Sequence, residues 1–420
     1  MKVAVVGGGS TYTPELVDGL ARLPDDLPLD ELVLVDPDAE RLSVVGAFAG
    51  RMLKQADAAT RLVLTDDLEM AVEGASVVLL QFRVGGQQAR ARDESFPLDC
   101  GCVGQETTGA GGLAKALRTV PVALDIAREV RARAVPDAWI IDFTNPVGIV
   151  TRALLDDGHR TVGLCNVAIG FQRLFAGWLD VTPDRLALDH VGLNHLTWIR
   201  AVHLDGVDVL PGIIERFGSE LASRLELPLA LLRHLGVVPS YYLRYYYAHD
   251  QEVARLLREG TRAEQVQRIE EELLDLYRDP GLLTTPPLLA QRGGAYYSEA
   301  AVDLIAALLG GPEHAGPRVA NVRNRGTLPF LADRAVIETV CSVSGAGAEP
   351  MAVSELPPLL SGLVAHVSEY EELALRAARE GGRDRVVDAL LAHPLIGQWD
   401  QASTLADAII AGNREYLEWL

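Results

Sequence analysis

Two side chains thirty positions apart, Cys165 and His195, are the first that could share a chemical task. Cys165 ends the run Thr161-Val-Gly-Leu-Cys165-Asn166, at the carboxyl end of an apolar strand candidate, where ligands and reacting groups gather in open α/β sheets. His195 lies in Gly192-Leu-Asn-His195-Leu-Thr-Trp. A thiolate and an imidazole can together hold a divalent ion and leave positions open for substrate oxygens. Taken alone, such a thiol is more often inert core and such a histidine more often structural. Cys100, Cys102 and Cys341 read as structural thiols, Cys102 lying close to Glu106.

A second constellation starts at the amino end. Val3-Ala-Val-Val-Gly7-Gly8-Gly9-Ser10-Thr11 is an apolar run leading directly into glycines. Such a turn lets the backbone approach a pyrophosphate, whose charge then meets the free N–H groups of a helix start. Asp36 follows the apolar run Leu32–Val35. A carboxylate there can accept from an adenosine ribose and would repel the extra phosphate of NADP, so NAD is the expected cofactor. Tyr12 stands where the third glycine of the usual pattern would be.

Elements must carry these groups. Val3–Val6, Leu32–Val35, Val77–Phe82, Trp139–Phe143 and Thr161–Leu164 are short, Val/Ile/Leu-rich and bounded by polar residues or glycine. They read as strands buried on both faces of a parallel sheet. Helix candidates Pro14–Arg22, Ala39–Gln55 and Leu113–Arg133 lie between them. The alternation predicts an α/β fold with a Rossmann-type, doubly wound parallel sheet. Beyond about residue 170 the pattern turns α+β, with helices over Gln251–Arg278, Leu356–Glu380 and within Ala402–Trp419, and strands at Val319–Val322 and Ala335–Val343. The expected division is a dinucleotide domain over 1–170 and a substrate, metal and oligomerisation domain over 171–420.

Of 420 residues, 58 are acidic and 38 basic, a formal net charge of −20. That excludes an overall basic footprint for nucleic acid or anionic membrane, while a local arginine cluster could still take a small anion. No stretch approaches the roughly 20 uncharged apolar residues of a membrane helix. Met1–Val6 is too short for a signal peptide's apolar region, and four cysteines make no disulfide framework, so the cytoplasm is the expected compartment.

Further segments occur in order: Arg90-Ala-Arg-Asp-Glu94, Val103-Gly-Gln-Glu-Thr-Thr-Gly-Ala-Gly-Gly112, Asp142-Phe-Thr-Asn-Pro146, Gly163-Leu-Cys-Asn-Val167, Pro239-Ser-Tyr-Tyr-Leu-Arg-Tyr-Tyr246, Arg292-Gly-Gly-Ala-Tyr-Tyr297 and Asn321-Val-Arg-Asn-Arg-Gly326. With the glycine loop and Gly192–His195, they make the chain resemble glycoside hydrolase family 4, the NAD- and metal-dependent glycosidases, almost end to end. Cys165-Asn-Val resembles the 6-phospho-β-glucosidase version, where α-glucosidase members carry Cys-Asp-Met and α-galactosidase types Cys-His. Ala168 departs from the usual proline.

The resemblance implies a fold like lactate and malate dehydrogenases and a route outside the two-carboxylate glycosidase scheme. Hydride leaves the sugar's C3 for NAD⁺, the ketone acidifies the C2 proton, a base removes it, and elimination expels the C1 substituent. Water then adds and the hydride returns. Cys165 and His195 would hold Mn²⁺ or another divalent ion. Tyr242 matches the base, with Tyr241 its immediate competitor. Glu106 matches a site position that could orient water or substrate. Asn166 cannot serve as an acid and would bond a sugar hydroxyl. Arg90 and Arg262 match phosphate or sugar contacts, suited by their bidentate guanidinium groups, and Asn145 a substrate-binding position. The expected substrate is a 6-phosphorylated disaccharide or aryl β-glucoside, and the expected assembly a homodimer or homotetramer. Two alternatives are a glycosidase of the same family acting on another sugar and a malate/lactate-type dehydrogenase.

Overall fold

The computed structural model describes residues 1–24, 26–293 and 296–420. Gly294 and Ala295, inside the expected Arg292–Tyr297 motif, therefore lie outside the described residues. The apolar runs become strands because helices cover both of their faces. They are β1 (Lys2–Val6), β2 (Glu31–Val35), β3 (Arg61–Thr65), β4 (Val77–Leu80), β5 (Trp139–Asp142) and β6 (Thr161–Gly163). Their parallel order, β3-β2-β1-β4-β5-β6, is that of a doubly wound dinucleotide fold.

The sheet does not stop there. The chain adds β7 (Leu186–Leu193), β8 (Leu196–Leu204), β9 (Val207–Asp208), β10 (Val238–Pro239), β11 (Gly316–Arg323), β12 (Val336–Ser344) and β13 (Gly347–Pro350). β11 pairs antiparallel with β6, and the order continues β12-β7-β8-β10, with β13 on β12 and β9 on β8. The described residues thus form one sheet of thirteen strands.

Two expectations need correction. β3 was not anticipated, because as an edge strand it is partly solvated, with Leu64 40% exposed, and lacks the continuous apolar signal. The single helix expected over Gln251–Arg278 is two, His249–Glu259 and Arg262–Arg278. Gly260 adopts φ +84°, which ends the first helix, and extended Thr261 starts the second. The other long helices fall where expected: Ala39–Gln55, Gly109–Arg133, Pro358–Glu380 and Trp399–Gly412. Among the described residues no helix is long and apolar enough to cross a membrane.

One cross-strand row brings distant segments together. Gly163 of β6 faces Asn321 of β11, Asn321 faces Glu338 of β12, and Glu338 faces Gly192 of β7. Gly192 has φ +151°, and a Cβ there would come within 2.1 Å of the Leu196 carbonyl oxygen. Glycine is therefore required for the tight β7–β8 hairpin, whose tip is Asn194 and His195, the latter at φ +63°.

The helix Gly109–Arg133 carries the fully buried Arg118. Its Nε donates to the Val84 carbonyl at 3.1 Å, and its Nη1 to Asp93 Oδ1 at 3.0 Å and Asn413 Oδ1 at 2.9 Å. Arg118 thereby fastens the C-terminal segment to the loop after β4. Arg118→Ala would leave Asp93 buried without its counter-charge, and urea unfolding should show a loss of roughly 3–5 kcal/mol.

Candidate active site

A cavity of about 680 Å³ opens over the carboxyl ends of β1 and β4. Gly7, Gly9, Ser10, Asp36, Arg41, Arg83, Lys115, Asn145, Glu270, Arg292 and Tyr297 line it. Gly7 adopts φ +89°, and a Cβ on it would meet the Phe82 backbone at 2.7 Å. The amides of Gly7 and Gly8 both donate to the Val35 carbonyl, at 3.0 and 2.9 Å. Asp36 accepts from Gly9 N at 2.9 Å and from Asp38 N at 3.0 Å, so loop and acid brace each other at the cavity edge. This concave, glycine-lined wall with a carboxylate at its rim fits a dinucleotide. Gly8 and Thr11 are not part of the wall: Gly8 backs onto Leu34, and Thr11 is fully buried. Tyr12, in place of the third glycine, packs edge-on against Tyr297 at 5.9 Å, with the Arg292 guanidinium 5.8 Å from its ring.

Cys165 lies two residues beyond β6 and just ahead of the helix Val167–Leu179. Burial, then the charge of Glu338, pushes its thiol up, opposed by hydrogen bonds from the Val167 backbone and the side chains of Asn194 and Tyr297. A helix amino end favours the thiolate once a counter-charge is present. His195 is buried, and burial lowers its pKa to about 4, so the ring is neutral and able to ligate. Its Nδ1 is 2.8 Å from Thr107 Oγ1. Asn194 bonds Cys165 and, at 2.8 Å, Glu338 Oε2, joining hairpin tip and strand end. A buried thiol at a helix start and a neutral imidazole fit a divalent ion that takes two protein ligands. Tyr297, on the cavity wall and bonded to Cys165, connects this pair to the dinucleotide wall. Among the described residues, the cluster of three His, Cys, Asp or Glu ligand atoms is elsewhere, at Asp26, Glu313 and His314 near the surface.

The tyrosine segment separates by contact. Tyr242 stacks on His195, with centroids 3.6 Å apart and planes 9° from parallel. Tyr241 instead stacks on Phe171, at 4.7 Å. Burial holds the Tyr242 phenol well above its ordinary range, reinforced by Cys165, Tyr245 and Glu106 and opposed by Arg90. A cation beside it would act in the opposite direction.

Glu106 is buried and paired with Arg83, with Lys115 Nζ at 2.6 Å and with Arg90 Nε at 3.3 Å. Burial would raise its carboxyl, but Arg83, Arg90 and Lys115 outweigh it and hold Glu106 well below the usual carboxylate range. Burial and the Arg83 charge bring Lys115 down to about 7. Arg90 is buried between Glu94, at 2.7 Å, and Glu106. Arg262 is exposed at the start of its helix and bonds Gln265 and the Gln291 carbonyl. Among the described residues no carboxylate lies within ion-pair distance of Arg262, and its electrostatic neighbours include Arg90 and Arg292. Asn145 Oδ1 is buried with no hydrogen-bond partner among the described residues. Asn166 is the residue capping the helix Val167–Leu179.

Arg83, Lys115 and Glu338 were not singled out in the sequence. Lys115 lies three residues past the quoted Val103–Gly112 segment, and Glu338 lies inside an apolar strand run, where a lone acid was the available signal.

Residues 2–181 match the family model described as Family 4 glycosyl hydrolase, and residues 190–396 match that described as Family 4 glycosyl hydrolase C-terminal domain. The chain is 41% identical over 434 residues to a probable 6-phospho-beta-glucosidase of Bacillus subtilis (strain 168), covering 99% of this chain and 97% of that one. It is 34% identical to the 6-phospho-beta glucosidase of Thermotoga maritima solved with manganese, NAD⁺ and glucose-6-phosphate, with a TM-score of 0.93 and 99% of each chain covered. A malate dehydrogenase of Salinibacter ruber, 17% identical, covers 91% of this chain and 100% of its own at a TM-score of 0.54, a likeness of fold alone. By both halves of its length, this chain belongs to glycosyl hydrolase family 4.

Proposed function

We propose that the chain is a cytoplasmic 6-phospho-β-glucosidase using NAD⁺ and a divalent ion such as Mn²⁺. The observation that carries this reading is the meeting of Cys165, His195 and Tyr242 beside the glycine-lined cavity. The names of the relatives at 34% and 41% identity support the β-linked, 6-phosphorylated substrate. The two-part division at residue 170 belongs to the same proposal, supported by the change from parallel to antiparallel pairing after β6.

Cys165 and His195 would hold the ion, and Gly7, Gly9, Ser10 and Asp36 would border the dinucleotide, with Gly8 and Thr11 supporting that wall from behind. When bound, NAD⁺ supplies a hydride acceptor and the ion a Lewis acid. The rest falls to this chain's side chains. In a sugar carrying a ketone at C3 the C2 proton is acidic, and Tyr242 is the base that takes it. Arg90 orients the sugar-phosphate end from its buried anchor on Glu94 and Glu106. Arg262, with no carboxylate of its own, pairs with the 6-phosphate. Asn145 accepts from a sugar hydroxyl through its open Oδ1, and Asn166 bonds another. Asn166 is an amide and no acid, so the leaving oxygen takes its proton from another source, such as water. Glu106, held ionised by three cations, acts through charge and orientation and not as a proton donor.

Incubated with p-nitrophenyl 6-phospho-β-glucoside, NAD⁺, Mn²⁺ and a reductant, the protein should release nitrophenol without accumulating NADH, and EDTA should stop it. No release with both cofactors bound would refute the assignment.

In D₂O, recovered glucose 6-phosphate should carry deuterium at C2. Tyr242→Phe should lower kcat by roughly a hundred- to ten-thousand-fold, the usual worth of a general base, while Tyr241→Phe stays near wild type. Product without label at C2 would discard the elimination route.

A further inference from the structure

The ring of His195 is held from two sides, and the hydrogen-bond directions behind it can be worked out by counting protons. Thr107 lies on the loop between the turn Phe96–Cys100 and the helix Gly109–Arg133, 88 residues from His195 in sequence. Its Oγ1 is 2.8 Å from His195 Nδ1 and 2.8 Å from Gln105 Oε1. The backbone amide of Thr107 points at the same Gln105 atom.

A backbone N–H can only donate, so the Gln105 atom facing it is the carbonyl oxygen and not the amide nitrogen. That oxygen has no proton to offer, so the one hydroxyl proton of Thr107 goes to Gln105. Thr107 Oγ1 can then meet His195 only as an acceptor, and Nδ1 must carry the ring proton. A neutral imidazole has one such proton, which leaves the lone pair on Nε2.

The other constraint is on the face of the ring. Tyr242 stacks on it at 3.6 Å, so an edge bond from Thr107 and a face contact from Tyr242 together fix its rotation. A 180° ring flip would exchange Nδ1 with Cδ2, break the bond to Thr107 and turn the Nε2 lone pair to where Cε1 now lies.

We propose that Gln105 and Thr107 form a positioning relay that holds His195 as the Nδ1–H tautomer, presents Nε2 to the divalent ion and thereby sets the ion's affinity. The proposal rests on Cys165 and His195 being the ion's ligands, as in the reading above. Neither relay residue lines the glycine-walled cavity, and their effect is exerted through the histidine. Partners of this kind raise ligand basicity and orient the ring, and their removal costs about 10- to 100-fold in metal affinity.

The test has a part that needs no metal. In metal-free protein labelled with ¹⁵N-histidine, long-range ¹H–¹⁵N correlation distinguishes the two tautomers, and the His195 signal among nine histidines is identified by its loss in His195→Gln. The Nδ1–H pattern is expected, and an Nε2–H pattern overturns the relay. Mn²⁺ titration of the NAD⁺-bound protein, followed by electron paramagnetic resonance, gives the second readout. Thr107→Val should raise the Mn²⁺ Kd about 10- to 100-fold, while Thr107→Ser, which restores the hydroxyl, should stay near wild type. A Thr107→Val Kd within about twofold of wild type overturns the relay's effect on affinity. If His195→Ala leaves Mn²⁺ binding unchanged, the ligand assignment itself falls, and with it the relay's purpose, whatever the tautomer.

Discussion

Glu338, itself buried, accepts hydrogen bonds from His190 Nε2 at 2.9 Å, Asn194 Nδ2 at 2.8 Å and Asn321 Nδ2 at 3.1 Å. Burial alone would push its carboxyl up, yet His190 and Asn194 outweigh it and hold Glu338 below the ordinary range. Burying a carboxylate costs several kcal/mol, and bonds to a charged acceptor return roughly 1.5–3 kcal/mol each, so all three donors are needed to offset it. Those donors sit on β7, on the hairpin tip and on β11. The charge therefore ties β12 to β7, to the hairpin tip and to β11, which itself pairs with the last parallel strand, β6. Cys165 leaves that strand and His195 tops that hairpin, so one buried anion sets where the two proposed ligands meet.

The charge distribution around the cavity follows a related logic. A chain of formal charge −20 gathers Arg41, Arg83, Arg90, Arg262, Arg292 and Lys115 around three acids, Glu94, Glu106 and Glu270. Glu270 alone takes Arg41 and Arg292, and Glu106 takes three cations. The local excess of positive charge lies where an anionic cofactor and a phosphorylated sugar would arrive. Internal carboxylates keep all of these cations but Arg262 in place, so a bound anion meets mostly fixed charges.

The parallel half of the fold was legible in the sequence because its strands are apolar on both faces, which marks them whatever their neighbours. β3 escaped because one edge is wet, and the break at Gly260 because a lone glycine in a helical pattern is ambiguous until the chain around it turns. The site was legible as a set of residue types and segments. Its contacts were not: Thr107 reaches His195 across 88 residues and Asn194 reaches Glu338 across 144. Helical spacing could not choose between Tyr241 and Tyr242, since the choice depends on which ring finds Phe171 and which finds His195. Glu106 shows the same limit from the other side. Its motif marked the position, but only packing makes it a buried, triply paired anion.

The central claim is that one ion is shared by a strand-end thiolate and a hairpin-tip imidazole next to the dinucleotide wall. The most direct measurement is a crystal structure of the protein with NAD⁺, Mn²⁺ and glucose 6-phosphate, with anomalous diffraction locating the manganese. The account predicts an anomalous peak bonded to Cys165 Sγ and His195 Nε2, with Tyr242 against the sugar. A manganese peak elsewhere, or one ligated through His195 Nδ1, would contradict it.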